Sequence, residues 1–141
     1  MQGTAQQQDN SAATEPTALS DGFPKSFDNV EELDAFLSQP NQALIDDMAA
    51  VDGDILILGV AGKMGPTLAR LARNAAPAKR IIGVARFSEA GLRDGLEKSG
   101  IETIKADLLD QEQVEALPRV RNVIFMAGMK FGASGTQPLT W

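Results

Sequence analysis

Cysteine, histidine and tyrosine are all absent from this chain of 141 residues. Without cysteine there is no disulfide, thiol nucleophile or thiolate metal site, and without histidine no imidazole ligand or imidazole acid/base group. Metal binding would have to rest on carboxylates and water, and no Asp/Glu spacing points to it. Without tyrosine there is no phenol to pass a proton to or from a substrate hydroxyl. Positive charge is also scarce: 13 Lys and Arg stand against 19 Asp and Glu, a formal net charge of -6. That balance leaves no basic stripe for nucleic acid or an anionic membrane surface, so neither is an expected partner. No apolar run approaches the ~18 residues of a membrane span, and the N-terminus lacks a basic stretch followed by an apolar one. The expected location is cytoplasmic.

What is present is the composition of a globular domain, 43% hydrophobic and 23% charged, with length for one core and too little for two ordinary domains. Residues 1–24 are rich in Gln, Ala, Thr and Ser, cannot bury enough surface to offset their ordering entropy, and read as a disordered polar tail. Residues 25–52 form a helical segment. Val30, Leu33, Phe36 and Leu37 recur at helical spacing from Ser26 onward until Gln39-Pro40 stops the pattern, and a second helix is expected over residues 42–50 with Leu44, Ile45 and Met48 on one face. Whether these helices pack on the remainder or on a partner subunit is open, and so is a homodimer.

From residue 53 to 141 the texture becomes alternating strands and helices. Ile55-Leu56-Ile57-Leu58 is a short apolar run, the signature of a strand buried on both faces of a parallel sheet. A helix over residues 66–75 follows, with Pro66 in its first turn and Leu68, Leu71, Ala72 and Ala75 facing inward. Further strands are expected over residues 80–85, 101–106 and 122–127, and further helices over residues 88–99, closed by Gly100, and after Asp110, where Gln113 completes a capping box. Four strands alternating with three helices on short crossovers give an α/β fold, a Rossmann-type doubly wound parallel sheet.

The segment Gly59-Val60-Ala61-Gly62-Lys63-Met64-Gly65 joins the first strand to its helix. Its G-x-x-G-x-x-G spacing suits a pyrophosphate. Gly59 permits the tight exit from the strand, Gly62 removes a side chain where phosphate approaches the backbone, and Gly65 lets the helix pack closely. The helix N-terminus supplies free N–H groups and the positive end of its dipole. Lys63 adds a charge, and Met64 is expected to pack beneath the turn. A tight βα turn without a ligand is the competing reading. A P-loop is excluded, because Ile57 stands where its first glycine is required and Met64 where its Ser or Thr is required.

The strand ends define the rest of the candidate site. Ala85 occupies the place where NAD binders carry an acidic residue, and the following Arg86 could pair with a 2′-phosphate or stack on adenine, which favours NADP over NAD. A solvent-facing arginine is the alternative. Asp107 is placed to meet the adenine amino edge, or else to cap the next turn, and Leu108 to lie against the ring. Ala127 and Gly128 offer small residues beside the pyrophosphate and nicotinamide ribose, while Lys130 reads as a solvated loop lysine.

The turn at Gly59–Gly65, the Ala106-Asp107-Leu108 triplet and the pair Ala127-Gly128 together resemble the extended short-chain dehydrogenase/reductase superfamily, in particular its NAD-dependent epimerase/dehydratase group. The resemblance covers residues 54–141. It implies an NAD(P) cofactor, hydride transfer to and from a small-molecule substrate, and a catalytic Ser/Thr, Tyr and Lys placed beyond the fourth strand. The chain contains no Tyr and the catalytic set is expected beyond Trp141, so no residue of this chain is assigned a catalytic role. The expectation is an N-terminal fragment that binds without turnover. A non-catalytic dinucleotide sensor or interaction module is the alternative class. The turn is also similar to that of dihydrodipicolinate reductases, a lesser match because that family lacks the Asp-Leu near its third strand.

Overall fold

The computed structural model describes Pro16 and residues 22–128. The expected disordered tail falls almost wholly outside the described residues, as does Lys130. The described elements run α1 (Val30–Leu37), α2 (Gln42–Ala50), β1 (Ile55–Leu58), α3 (Gly65–Ala75), β2 (Ile81–Ala85), α4 (Leu92–Lys98), β3 (Glu102–Lys105), α5 (Gln111–Glu115) and β4 (Asn122–Phe125). The four strands form one all-parallel sheet in the order β3-β2-β1-β4. The chain is thus an α/β protein with helices flanking a parallel sheet.

The strand sequences account for that order. β1 and β2 read ILIL and IIGVA and are buried almost throughout, as central parallel strands covered on both faces must be. β3 and β4, with Glu, Lys and Asn among their residues, take the two outer places. The path β1–β2–β3 steps in one direction and the path to β4 returns past β1. Because parallel crossovers are right-handed, reversing the direction of travel moves the connection to the opposite face. On one face Ile55, Ile57, Val60 and Ile81 accordingly pack with Ala69 and Ala72 of α3 and Leu96 of α4. The other carries Leu56, Ile82, Val84 and Ala106 beneath Leu108, Leu117 and Val120 of the β3–β4 connection. Ile57, Ile81 and Ile82 have almost no exposed surface, and each contributes roughly 1.5–3 kcal/mol by burial.

α3 departs from the expected pattern. Its buried residues are Gly65, Ala69, Ala72 and Ala75, and Leu68 and Leu71 are only half-buried. A stripe of small residues allows the helix to approach the sheet closely, which displaces the two leucines to its flanks. Two helices also begin later than their spacing indicates. α1 starts at Val30 because Asn29 caps it, its side-chain oxygen accepting from the Glu32 N–H at 2.8 Å, with the Glu32 carboxylate accepting from the Asp28 N–H at 3.1 Å. α4 starts at Leu92 because Gly91, at φ +81°, turns the backbone left-handed just before it.

The N-terminal helices pack against the remainder of the chain. Asn74 of α3 donates from Nδ2 to the Ser38 carbonyl at 2.8 Å, Ile45 is buried, and Met48 packs against the first apolar cluster. Both helices contact α3. Among the described residues no helix is long and apolar enough to cross a membrane.

Candidate functional site

In a parallel sheet all carboxyl ends share one edge, and here that edge holds Leu58, Ala85, Lys105 and Phe125. The strand order reverses between β1 and β4 at that edge, the kind of position where open parallel sheets take ligands. The Gly59–Gly65 turn occupies this position.

Its backbone is tied down from beneath. The Val84 carbonyl of β2 accepts from both the Gly59 N–H, at 2.8 Å, and the Val60 N–H, at 3.1 Å. The Gly62 N–H then donates to the Gly59 carbonyl and the Gly65 N–H to the Gly62 carbonyl, each at 3.1 Å, so two tight turns follow in succession. Val60 is fully buried and lies over Gly83, where an added Cβ would come within 2.8 Å of Val60 Cγ1. A glycine inside an otherwise apolar strand marks such a close approach.

The three glycines have different reasons to be there. Gly59 has φ +85°, and a Cβ on it would meet the Ala127 backbone nitrogen at 2.6 Å. A Cβ on Gly65 would stand 2.1 Å from the Val60 carbonyl oxygen. Both are required by the fold itself. A Cβ on Gly62 would meet only the Gly59 carbonyl oxygen, at 3.3 Å, and its φ is not positive. The backbone leaves room there that the packing of the chain does not use.

Beside Gly62 the turn presents donors. Among the described residues, the N–H groups of Ala61, Lys63 and Met64 have no hydrogen-bond acceptor, and they sit at the N-terminus of the eleven-residue α3 with its positive dipole end. Ala61 turns its methyl toward the first apolar cluster, so only its backbone faces outward. A cavity of about 210 Å³ is lined by Gly59, Gly62, Lys63, Met64, Gly65 and Met126. The expected position of Met64 beneath the turn is corrected: its side chain is 72% exposed, because Val60 already fills the space below. Met126 also borders this cavity. Ala127 passes its backbone beneath Gly59, and Gly128 is exposed with open space around it.

A second cavity, of about 410 Å³, lies along the same edge at the ends of β2 and β3, lined by Arg86, Phe87, Ser88, Lys105, Ala106, Asp107 and Gln113. Asp107 caps the next turn and also faces this cavity, its Oδ1 accepting from the Leu109 N–H at 3.0 Å. Gln113 ties this wall together. Its Oε1 accepts from the Asp107 N–H at 2.9 Å and its Nε2 donates to Asp110 Oδ2 at 2.7 Å. The Gln113 amide, followed by the backbone N–H groups at the start of α5, holds the Asp110 carboxyl below the ordinary aspartate range. Leu108 borders neither cavity; it packs into the second apolar cluster.

The structure therefore brings Gly59, Gly62, Lys63, Met64 and Gly65 to one cavity and Arg86 and Asp107 to another on the same edge. Sequence reasoning missed Ser88, Lys105 and Gln113, which become neighbours only through the pairing of β2 with β3. Among the described residues no cluster of three or more acidic side chains is placed to hold a metal ion. Chemically, the edge offers hydrogen-bond donors and cations suited to holding an anionic ligand. Compared with protein-family models, curated proteins and solved structures, the chain matches none.

Proposed function

We propose that the chain is the NAD(P)-binding part of a short-chain dehydrogenase/reductase-type enzyme, its sheet a Rossmann-type doubly wound sheet that takes the cofactor across its carboxyl edge. The observation that carries the reading is the set of free N–H groups at Ala61, Lys63 and Met64, grouped around Gly62 at the start of α3. A pyrophosphate placed there accepts from these donors, gains from the helix dipole, and occupies the space that Gly62 leaves open. Lys63 adds a cation at the mouth. The adenosine end then runs toward Arg86 and Asp107 at the ends of β2 and β3, and the nicotinamide end toward Met126, Ala127 and Gly128.

Neither cavity contains a phenol or an imidazole, since the chain has neither. The reaction read for such an enzyme is hydride transfer to or from a small-molecule substrate, and no residue of this chain is assigned a catalytic role in it. A non-catalytic dinucleotide module is the second reading, favoured by the same absence. A cytoplasmic setting accords with both.

Calorimetric titration of the chain with NADPH and NADH tests the proposal. Binding of at least one, with NADPH the tighter, is expected, and Gly62→Val should abolish it while leaving the circular-dichroism spectrum intact. Failure of both dinucleotides to bind at millimolar concentration would overturn the reading, as would undiminished binding by Gly62→Val.

A further inference from the structure

α1 contains no buried residue. Its apolar side chains Val30, Leu33 and Leu37 recur at three- and four-residue spacing, so they share one side of the helix. All three are exposed, Val30 at 68% and Leu37 at 49%. The helix is held to the chain elsewhere, at the buried Ser38 that caps its end, whose carbonyl accepts from Asn74. Phe36 lies beside the exposed stripe, three residues on from Leu33. Its ring packs edge to face on Phe23, with centroids 6.0 Å apart, and against Phe27 at 5.3 Å. Phe23 is itself 84% exposed, so the aromatic cluster widens the apolar surface. Scattered apolar residues on a surface need no explanation, but a group on and beside one short helix marks a contact site.

The charge around this surface has one sign. Residues 26–54 contain eight Asp and Glu and no Lys or Arg, while the remainder holds all 13 Lys and Arg against eleven acidic residues. Glu31 and Asp34 border the stripe on α1, and neither forms an ion pair among the described residues. That charge selects the occupant. A second copy of this chain would bring a like-charged rim against the first. An anionic lipid surface is disfavoured too, since helices that lie on membranes carry Lys and Arg beside their apolar side. A partner with apolar anchors bordered by Lys and Arg gains from both features, and about two turns of exposed helix suit packing by another helix. We infer that α1, together with Phe23, docks a basic amphipathic helix of a partner protein. This surface is separate from the dinucleotide edge, because Asn74 ties α1 to the last turn of α3, at the far end of that helix from the Gly59–Gly65 turn.

The test is calorimetric titration of the 141-residue chain with a synthetic amphipathic helix of leucine and lysine, about five turns long. The expected result is binding that weakens as salt rises. A leucine-and-glutamate counterpart, and an oligolysine of equal length, should each bind at least about tenfold more weakly. Val30→Ser combined with Leu37→Ser, both at exposed positions, should cost at least about tenfold in affinity with an unchanged circular-dichroism spectrum. Glu31→Gln combined with Asp34→Asn should weaken binding and flatten its salt dependence. Val123→Ser, at an exposed apolar position on β4, should change neither. Oligolysine or the glutamate peptide binding as tightly as the lysine peptide would overturn the docking surface, as would undiminished affinity in the Val30→Ser and Leu37→Ser chain. Sedimentation showing a dimer that this double variant loses would overturn it in favour of a second copy. Binding to phosphatidylserine vesicles that the same variant loses would overturn it in favour of a membrane.

Discussion

Replacing the glycines of the β1–α3 turn one at a time by alanine should separate the residues the fold needs from the one the ligand needs. At Gly59 an L-residue held at φ +85° costs about 1–2 kcal/mol in backbone energy. Its Cβ also lies 2.6 Å from Ala127 N and 2.7 Å from Ala127 Cα. These are backbone atoms that cannot rotate away, so the end of β4 must shift, at about 1–3 kcal/mol. At Gly65 the backbone is relaxed, but the added carbon stands 2.1 Å from the Val60 carbonyl oxygen. Only a displacement of the helix start relieves that overlap. Even after the better helix propensity of alanine, a net loss of about 2 kcal/mol remains. At Gly62 the only contact is 3.3 Å to the Gly59 carbonyl oxygen, a few tenths of an ångström from ordinary. The lower entropy of the unfolded alanine chain, worth roughly 0.4–1 kcal/mol, offsets it.

Thermal unfolding followed by circular dichroism reads these differences directly. For a domain of roughly 100 residues each kcal/mol moves Tm by about 4–8 °C. Gly59→Ala and Gly65→Ala should therefore lose about 10 °C or more, and Gly62→Ala should stay within a few degrees of the parent. Titration with NADPH should then show the reverse order of interest: Gly62→Ala stable but impaired in binding. A Gly62→Ala protein as unstable as the other two would refute the reasoning about packing. One that is stable and binds normally would refute the reasoning about phosphate approach.

Ile57, without exposed surface in the centre of the sheet, should lose about 2–5 kcal/mol on truncation to alanine, measured by urea unfolding; a change below 1 kcal/mol would mean the core relaxes around the gap. Gly83→Ala forces its new methyl to within 2.8 Å of Val60 Cγ1, so it should destabilise by about 1–3 kcal/mol alone and far less in the presence of Val60→Ala. Strict additivity in that double-mutant cycle would show that the two residues do not meet. The Asp110 carboxyl is held below its ordinary range, first by the Gln113 side chain. A carboxyl whose folded value is depressed contributes stability above its ordinary range and loses that contribution as pH falls through the lowered folded value. Asp110→Asn, which keeps a capping side chain, should therefore be less stable than the parent near neutrality, with the difference vanishing once pH falls below the lowered folded value. A gap that stays constant across the acid range would trace the effect to shape and not charge.

The strands and their order of appearance were legible because β1 and β2 are continuous apolar runs bounded by turn residues, a pattern that burial on both faces makes unmistakable. Helix starts were less legible. Asn29 and Gly91 each override the apolar spacing next to them, one by capping and one by left-handed backbone. On α3 the expected inward residues Ala72 and Ala75 are buried, but Leu68 and Leu71 are only half-buried, because large apolar residues are a poor guide where close approach is what matters. In the site, Gly59, Gly62 and Gly65 could be read from their spacing. Lys105 could not be placed beside Arg86, because their meeting depends on which strands pair and in what register. Met64 was misplaced for a simpler reason: the smaller Val60 had already taken the buried position.

Gly62 and Phe87 share a property that bears on the function more than either does alone. A glycine with an ordinary backbone and space for a methyl gives up unfolded-state entropy for no gain in packing. A phenylalanine at φ +48° bears backbone strain of about 1–2 kcal/mol. Each is a choice that a sequence shaped for stability alone would not retain, and local departures of this kind concentrate at binding sites. The two lie on the same edge of the sheet, one after β1 and the other after β2, at adjacent strands. Both find their reason together if one ligand spans them, with a pyrophosphate against Gly62 and a phosphorylated ribose beside Phe87. If so, Gly62→Ala and Phe87→Ala should weaken NADPH binding through different parts of the ligand. Gly62→Ala should weaken NADPH and NADH alike, and Phe87→Ala chiefly NADPH. Identical losses for both cofactors in both variants would separate the two features and leave the strain at Phe87 without a ligand to account for it.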